Sequence, residues 1–417
     1  MRTDLYELTM VDTALRSDVA GRPATFEVTA RRLPAGRAHG VVAGIGRLLE
    51  ALEAFRFHDD DLNWLVANGH LSPAGRQYLA RYRFRGTVDA YAEGELWYPH
   101  SPVLSFTAPF ADAVMLETLV LSILNFDSAV AAAASRMVVA ARGRPIVEMG
   151  GRRTHEEAAI AAARAAWTVG FSSTSNLAAA HRYGIPVMGT AAHAFILAFE
   201  GRGGERAAFD AQLAMMGPNT TLLVDTYHVA AGIEHAVAAA RAVGAEGPGA
   251  IRLDSDDPAT TSRRARTLLD SLGARATRIV VTGDVDEDLI ERLESGVGYG
   301  GERAPVDAYG AGTSVVTGGG HPTAGFVYKL VSLDDPPIGV AKSSPGKEGR
   351  PGRKRAWRVP GQAADVVTTD GDSPPAGTRA LQRRVMIDGR PTDEAGTLDD
   401  ARRHHAAVLT ELTGGAP

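Results

Sequence analysis

Cysteine is absent from all 417 residues, and lysine occurs only at Lys329, Lys342, Lys347 and Lys354 among 44 lysines and arginines. Without cysteine there is no disulfide framework, thiolate nucleophile, cysteine-ligated zinc or iron–sulfur cluster. Without lysine before residue 329, Schiff-base chemistry cannot draw on that stretch. The pair Gly346-Lys347 is followed by Glu348, so the GxxxxGK[ST] phosphate loop is missing as well. Apolar runs fall short of the ~20 residues needed to span a bilayer. The start, Met1-Arg-Thr-Asp-Leu-Tyr-Glu, lacks the apolar core of a signal peptide. A net charge of −5, with no basic stripe before the C-terminal region, argues against a nucleic-acid partner. The expectation is a cytoplasmic globular protein with neither membrane nor nucleic acid as partner. Its length predicts two domains and a large core.

The chain changes pattern along its length. Asp4-Leu-Tyr-Glu7 reads as a capping-box helix start. Residues 24–31 alternate like a strand, 41–55 carry apolar residues at helical spacing, and 86–91 and 103–108 look like further strands. This predicts an N-terminal α+β domain over 1–111. From 112, Ala-rich helices alternate with short apolar runs starting at Thr221, Ala250, Arg278 and Val306, spaced 29, 28 and 28 residues apart. A strand–helix unit repeating at that length is the signature of a parallel sheet or barrel. Earlier runs at 145–150 and 185–190 extend the series, so 112–325 is read as a (β/α) barrel. In the C-terminal segment, 326–417, strand-like 325–333 and 338–342 precede a Gly-, Pro- and Ser-rich stretch, 343–378, expected to be loops. A closing helix is expected over 395–412.

In such barrels chemistry gathers where strands end. Asp225, Arg252, Asp254, Gly283, Asp284, Gly312 and Thr313 all fall there. Carboxylates and an arginine beside glycine turns suit an anionic substrate and a divalent cation, with Asp225 and Asp284 as metal candidates. The competing reading makes each aspartate the N-cap of the next helix. His193 follows the run 185–188, and its bland alternative is a packed or capping histidine. His155, His181, His404 and His405 lack such placement and read as surface residues. Arg152-Arg153 follow the run ending at Gly150 and suit bidentate phosphate or carboxylate binding, though in a chain this rich in arginine an adjacent pair is also expected by chance.

The motifs occur in order. They are Thr3-Asp-Leu-Tyr-Glu-Leu-Thr9, Gly151-Arg-Arg153, Gly170-Phe-Ser-Ser-Thr-Ser-Asn176, Gly189-Thr-Ala-Ala-His193 and Asn219-Thr-Thr-Leu-Leu-Val-Asp-Thr226. Arg252-Leu-Asp-Ser255, Thr282-Gly-Asp284, Tyr309-Gly-Ala-Gly-Thr313, Val327-Tyr-Lys-Leu330 and Pro351-Gly-Arg-Lys354 follow. The series, over about residues 3 to 358, resembles the nicotinate phosphoribosyltransferases, of the type II phosphoribosyltransferase class. The resemblance implies an irregular α/β barrel beside a smaller α+β sheet domain formed from both chain ends. It implies that nicotinate and phosphoribosyl pyrophosphate give nicotinate mononucleotide and pyrophosphate, with Mg²⁺ and coupled ATP hydrolysis, in a homodimer with shared sites. The alternatives are a related transferase using another base or lacking ATP coupling, and a non-catalytic phosphosugar-binding barrel.

By the same resemblance, His193 is the histidine that ATP phosphorylates, which accounts for ATP use without a phosphate loop. Tyr6 reaches a partner's site to stack on the pyridine ring, Arg252 and Thr190 lie along nicotinate, and Arg153 is near nicotinate or diphosphate. Asp254 contacts ribose hydroxyls, and Gly283 and Gly312-Thr313 bind the 5′-phosphate. Asp225 and Asp284 belong to the Mg²⁺ shell or the ribose. Ser175 stands about where nicotinamide-using relatives place an aspartate, which favours the acid. Lys329, Lys342 and Lys354 fall in motif positions that could line the ATP or diphosphate side, the alternative being drift between surface lysine and arginine. Two departures stand out: Asp256 in Arg252-Leu-Asp-Ser-Asp-Asp257 replaces the family's glycine, and Ser172-Ser173 replace Asp-Gly.

Overall fold

The computed structural model describes residues 2–254, 257–343 and 349–413. Asp256 and Lys347 lie outside them. Two compact units divide the chain: Met1–Ala132 with His321–Pro417, and Ala133–Gly320. The first boundary falls inside the helix Glu117–Ala140, beyond the change of pattern at 112. That helix is long and apolar enough to cross a bilayer, with a mean hydropathy of 1.4 in its most apolar window, but 72% of that window is buried inside the protein.

The first unit is built on a seven-stranded sheet in the order Ile338–Gly339, Phe326–Leu333, Pro23–Ala30, Leu104–Pro109, Thr87–Tyr91, Gln382–Ile387 and Arg390–Pro391. Every pairing is antiparallel. Pro23–Ala30 is central and almost wholly buried, which its run of β-branched and aromatic residues permits. Phe26 stacks on Tyr328 with ring centroids 4.8 Å apart. Helix Leu5–Arg16 adds Leu8 and Val11 to the same core. It starts with a capping box, in which Glu7 Oε2 accepts from the Asp4 amide at 3.0 Å.

Three expectations for the C-terminal segment fail. Residues 343–378 are not all loop, because Lys354–Arg358, Val366–Thr369 and Arg379–Ala380 form a three-stranded antiparallel sheet. Its buried positions are Lys354, Ala356 and Arg358, and Lys354 Nζ pairs with Glu27 Oε2 at 2.8 Å. Lys354 is therefore spent inside its own unit. His404 and His405 are not surface residues either. His405 is buried with Nδ1 2.7 Å from the Gly94 carbonyl, and His404 Nε2 is 3.0 Å from Glu95, because the helix Leu398–Thr413 packs there.

The second unit holds a six-stranded sheet in the order Ser173–Thr174, Ile146–Glu148, Ala308–Ala311, Arg278–Val281, Ala250–Leu253 and Thr221–Leu223. Every pairing is parallel. Helices Val229–Ala242, Pro258–Ser271 and Glu287–Ser295 alternate with its last strands, and Ile233, Val237 and Leu269 pack on Leu222, Ile251 and Ile279. Gly232 permits the close approach, since a Cβ there would sit 2.1 Å from the Val224 carbonyl. The run 185–190 is not a strand; a single bridge, Thr174 to Val187, marks its place. Pro186 offers no amide donor, and 186–189 are exposed. Among the described residues no ladder joins Thr221–Leu223 to Ser173–Thr174, so the unit is a mixed α/β layer with a parallel half-barrel sheet.

Candidate active site

The carboxyl ends of four of these strands surround a cavity of about 460 Å³ in the second unit. Met149, Arg152 and Arg153 come from the end of Ile146–Glu148, and Gly310, Gly312 and Thr313 from Ala308–Ala311. Thr282, Gly283, Asp284 and Asp286 follow Arg278–Val281, and Arg252 and Asp254 end Ala250–Leu253. A side chain at Gly283 would place its Cβ 2.5 Å from Asp254 Oδ1, and its φ of +86° is one that only glycine adopts freely. The next residue, Asp284, is also left-handed at +44° and exposed.

Arg252 is held from two sides. Its Nη1 donates to Thr190 Oγ1 at 2.9 Å and to the Ala191 carbonyl at 3.3 Å, and its Nη2 lies 3.8 Å from Asp254 Oδ2. Burial pushes its pKa down, against the carboxylates of Asp254 and Asp225 and with the charge of Arg152. Asp254 Oδ1 accepts from Thr282 Oγ1 at 3.2 Å, and its amide donates to Asp225 Oδ2 at 2.5 Å. Asp225 Oδ1 and Arg252 Nε are buried with no partner among the described residues. The guanidinium groups of Arg152, Arg153 and Arg292 line the cavity without a hydrogen bond or ion pair among those residues.

Beneath the arginine pair lies Glu148, 1% exposed. Its Oε1 accepts from the Gly150 amide at 2.5 Å and its Oε2 from Thr174 Oγ1 at 2.6 Å, while its carbonyl accepts from the Ser175 amide at 2.8 Å. Burial raises its pKa against those two side-chain hydrogen bonds. One carboxylate thus ties the turn bearing Arg152-Arg153 to the strand end bearing Ser175.

Of the expected residues, Arg153, Arg252, Asp254, Gly283, Asp284, Gly312 and Thr313 face the cavity itself. Thr190 and Asp225 adjoin it through Arg252 and Asp254. His193 stands at the start of the short helix His193–Leu197, with Nδ1 3.1 Å from the hydroxyl of Thr226, the neighbour of Asp225. Ser175 is exposed. Tyr6 belongs to the other unit; it is 46% exposed, and burial of its hydroxyl and the charges of Glu117 and Glu7 raise its pKa to about 12. The capping reading of Asp225 and Asp284 fails, because His228 and Asp286 occupy the N-cap positions of the helices that follow. Sequence reasoning missed Glu148, Arg292 and Tyr299. The available signal was the row Asp286, Leu289, Arg292, spaced by three on one helix face.

Fold and site together define a class: an α/β protein whose parallel sheet opens onto a basic, glycine-lined cavity. A family model for the nicotinate phosphoribosyltransferase N-terminal domain matches residues 1–125. The nicotinate phosphoribosyltransferase pncB1 of Mycobacterium tuberculosis is similar at 53% identity over 423 residues, spanning 99% of this chain and 91% of its own. The nicotinate phosphoribosyltransferase of Bacillus subtilis is 35% identical over 370 residues, 87% of this chain and 74% of its own. The crystal structure of human nicotinic acid phosphoribosyltransferase superposes with a TM-score of 0.84 at 25% identity, covering 99% of this chain and 94% of that one. The chain belongs to the nicotinate phosphoribosyltransferase family.

Proposed function

We propose that the protein transfers the phosphoribosyl group of phosphoribosyl pyrophosphate to the ring nitrogen of nicotinate, releasing pyrophosphate, in the salvage of nicotinate toward NAD. The observation that carries this reading is the cavity in which Arg152, Arg153 and Arg292 have no partner among the described residues, beside the glycine turns at Gly283 and Gly312. Unpaired cations in a cleft repel one another and are stabilised by an anion. The bond from ribose C1 to the diphosphate oxygen breaks and the pyridine nitrogen forms the new one, with oxocarbenium character between. Arg252, braced by Thr190, orients the nicotinate carboxylate, and Asp254, aligned by Thr282, holds ribose hydroxyls. Arg152 and Arg153 take up charge as the diphosphate leaves. Ser175, where a carboxylate would repel nicotinate, favours the acid over the amide.

A divalent cation fits the donor set in part. Asp225 Oδ1 is a buried carboxylate oxygen without a partner, but no group of three histidine or acidic side chains among the described residues is placed to hold an ion. Such a site suits Mg²⁺, which binds through one or two carboxylates plus substrate phosphates and water. Bound there beside Asp225, with Asp284 at the rim, it would neutralise diphosphate charge.

His193 is the residue we assign to phosphorylation by ATP, with Thr226 fixing its ring. We further read the half-barrel as an irregular barrel interrupted at one seam, which the contacts of Thr190 and His193 with Arg252 and Thr226 span. The exposed apolar side chains Leu177, Val187, Met188, Phe195 and Leu197 support a homodimer in which a second copy covers them and lends its Tyr6. The cytoplasm is the proposed location.

The test gives purified protein Mg²⁺ and phosphoribosyl pyrophosphate with nicotinate, nicotinamide or quinolinate, each with and without ATP. Mononucleotide from nicotinate alone, faster with ATP, is expected; no product from any base overturns the reading. His193→Ala is expected to lose ATP-dependent phosphorylation and keep weak, ATP-independent transfer.

A further inference from the structure

One wall of the cavity comes from none of the ordered motifs. Asp286, Leu289 and Arg292 of the helix Glu287–Ser295 and its N-cap face the cavity, as does Tyr299 from the loop beyond. Their spacing aligns the first three in a row, and helical side chains lean toward the N-terminus, here toward the Gly283-Asp284 turn. Most acidic residues around Arg292 are engaged elsewhere, and Asp288, one turn before it, forms no ion pair with it among the described residues. Glu291 pairs with Arg142, Glu294 with Arg144 and Arg303, and Asp286 Oδ1 accepts from the Leu289 amide at 2.7 Å. Tyr299 is held from behind: Arg263 lies 5.9 Å from its ring centroid and donates to the carbonyls of Tyr299 and Glu302.

The glycine turns have a charge deficit that this wall answers. Backbone amides at Gly283 and Gly312 offer partial charge only, and the carboxylates of Asp254, Asp284 and Asp286 line the same cavity. Arg252 shares its charge with Asp254. Arg152 and Arg153 lie in the turn after the strand Ile146–Glu148, which Ala308–Ala311 separates from Arg278–Val281. A phosphate monoester at the glycine turns therefore needs a full cation from the Gly283 side, and Arg292 supplies it.

We propose that Arg292 binds the 5′-phosphate of the phosphosugar together with the amides of the Gly283 and Gly312-Thr313 turns. It selects ligands phosphorylated at that end, while Arg152 and Arg153 serve the diphosphate end. This rests on the phosphoribosyl-transfer reading above. A guanidinium meets a phosphate through two parallel hydrogen bonds, a geometry that lysine cannot copy.

The experiment titrates wild type, Arg292→Gln, Arg292→Lys and Arg153→Gln with nicotinate mononucleotide, with nicotinate riboside, which lacks the phosphate, and with inorganic pyrophosphate. Arg292→Gln is expected to weaken mononucleotide binding roughly 10- to 100-fold and to leave riboside and pyrophosphate binding unchanged, without lowering the melting temperature. Arg292→Lys recovers part of the loss, and Arg153→Gln shows the reverse pattern, with pyrophosphate weakened. Mononucleotide binding intact in Arg292→Gln, or all three ligands weakened alike, overturns the assignment. Wild-type protein that binds neither mononucleotide nor riboside overturns the transferase reading, and this inference with it.

Discussion

In the first unit Glu95 is 1% exposed and is reached by Arg358 at 2.6 Å, Arg379 at 2.7 Å and His404 at 3.0 Å. In the second unit Arg152, Arg153 and Arg292 face a cavity with no such partner among the described residues. Asp89, which takes Arg353 and Arg384, and Glu27, which takes Lys354, repeat the first pattern. Charges withdrawn from water are costly unless paired, and each pair in the first unit fixes which strand lies where. Cations left together at a cleft repel one another and lower stability until an anion arrives. One residue type thus builds architecture around Glu95 and waits for a ligand at the cavity.

Glu95→Ala breaks the comparison most severely. It removes the carboxylate that Arg358, Arg379 and His404 share and leaves Arg358 to Asp365 at 2.6 Å, so the loss is expected to stay within the roughly 3–5 kcal/mol of a broken buried pair, read as a lower urea midpoint. Substrate KM in the folded fraction should stay as it was. A midpoint within experimental scatter of wild type would show that the network is dispensable.

Acid attacks the same unit next. Burial pushes the Glu95 carboxyl up, but hydrogen bonds from His404 and Arg379 and the charge of Arg358 outweigh it and hold its pKa at about 2. Burial pulls His405 down to about 4 against its hydrogen bond to the Gly94 carbonyl. Both folded-state values lie below the unfolded ones. Each therefore contributes stability at neutral pH that is lost on acidification, His405 from about 6.5 downward and Glu95 from about 4.3 downward. His405 alone accounts for about 3 kcal/mol between pH 6.5 and 4. Urea midpoints across that range should fall for wild type and stay flatter for His405→Gln; parallel slopes would remove His405 from the account.

Glu148→Gln is the mildest test, and it probes the junction of the two behaviours. A hydrogen-bonded carboxylate there positions arginines that have no partner among the described residues. The amide cannot accept from both the Gly150 amide and the Thr174 hydroxyl, so kcat/KM for phosphoribosyl pyrophosphate should fall about tenfold. The melting temperature should move little. Unchanged kcat/KM would mean that the Arg152-Arg153 turn holds itself.

Much of the second unit was legible because its signals are local. Runs at Thr221, Ala250 and Arg278 became parallel strands, and the helix expected over 229–243 spans Val229–Ala242. The sheet that begins with Lys354–Arg358 was not legible, because the residues buried in that strand include a lysine and an arginine. Pattern rules place apolar residues inside, and here carboxylates hundreds of positions away stand in for apolarity. Arg358 meets Glu95 across 263 residues, and Lys354 meets Glu27 across 327. His404 and His405 were misread for the same reason. Arg292 escaped notice because an arginine on an amphipathic helix looks like any solvated residue until the fold turns it toward the cavity.

By itself the sequence determined the chemistry that is excluded, the strand–helix period and the ordered motifs at strand ends. These depend on residue type and spacing, which act over a few turns or one strand. Only the tertiary structure decided which of its many arginines are paired and which face the cavity. That choice depends on distances between residues remote in the chain, because the energy of a charge is set by its surroundings and not by its neighbours in sequence.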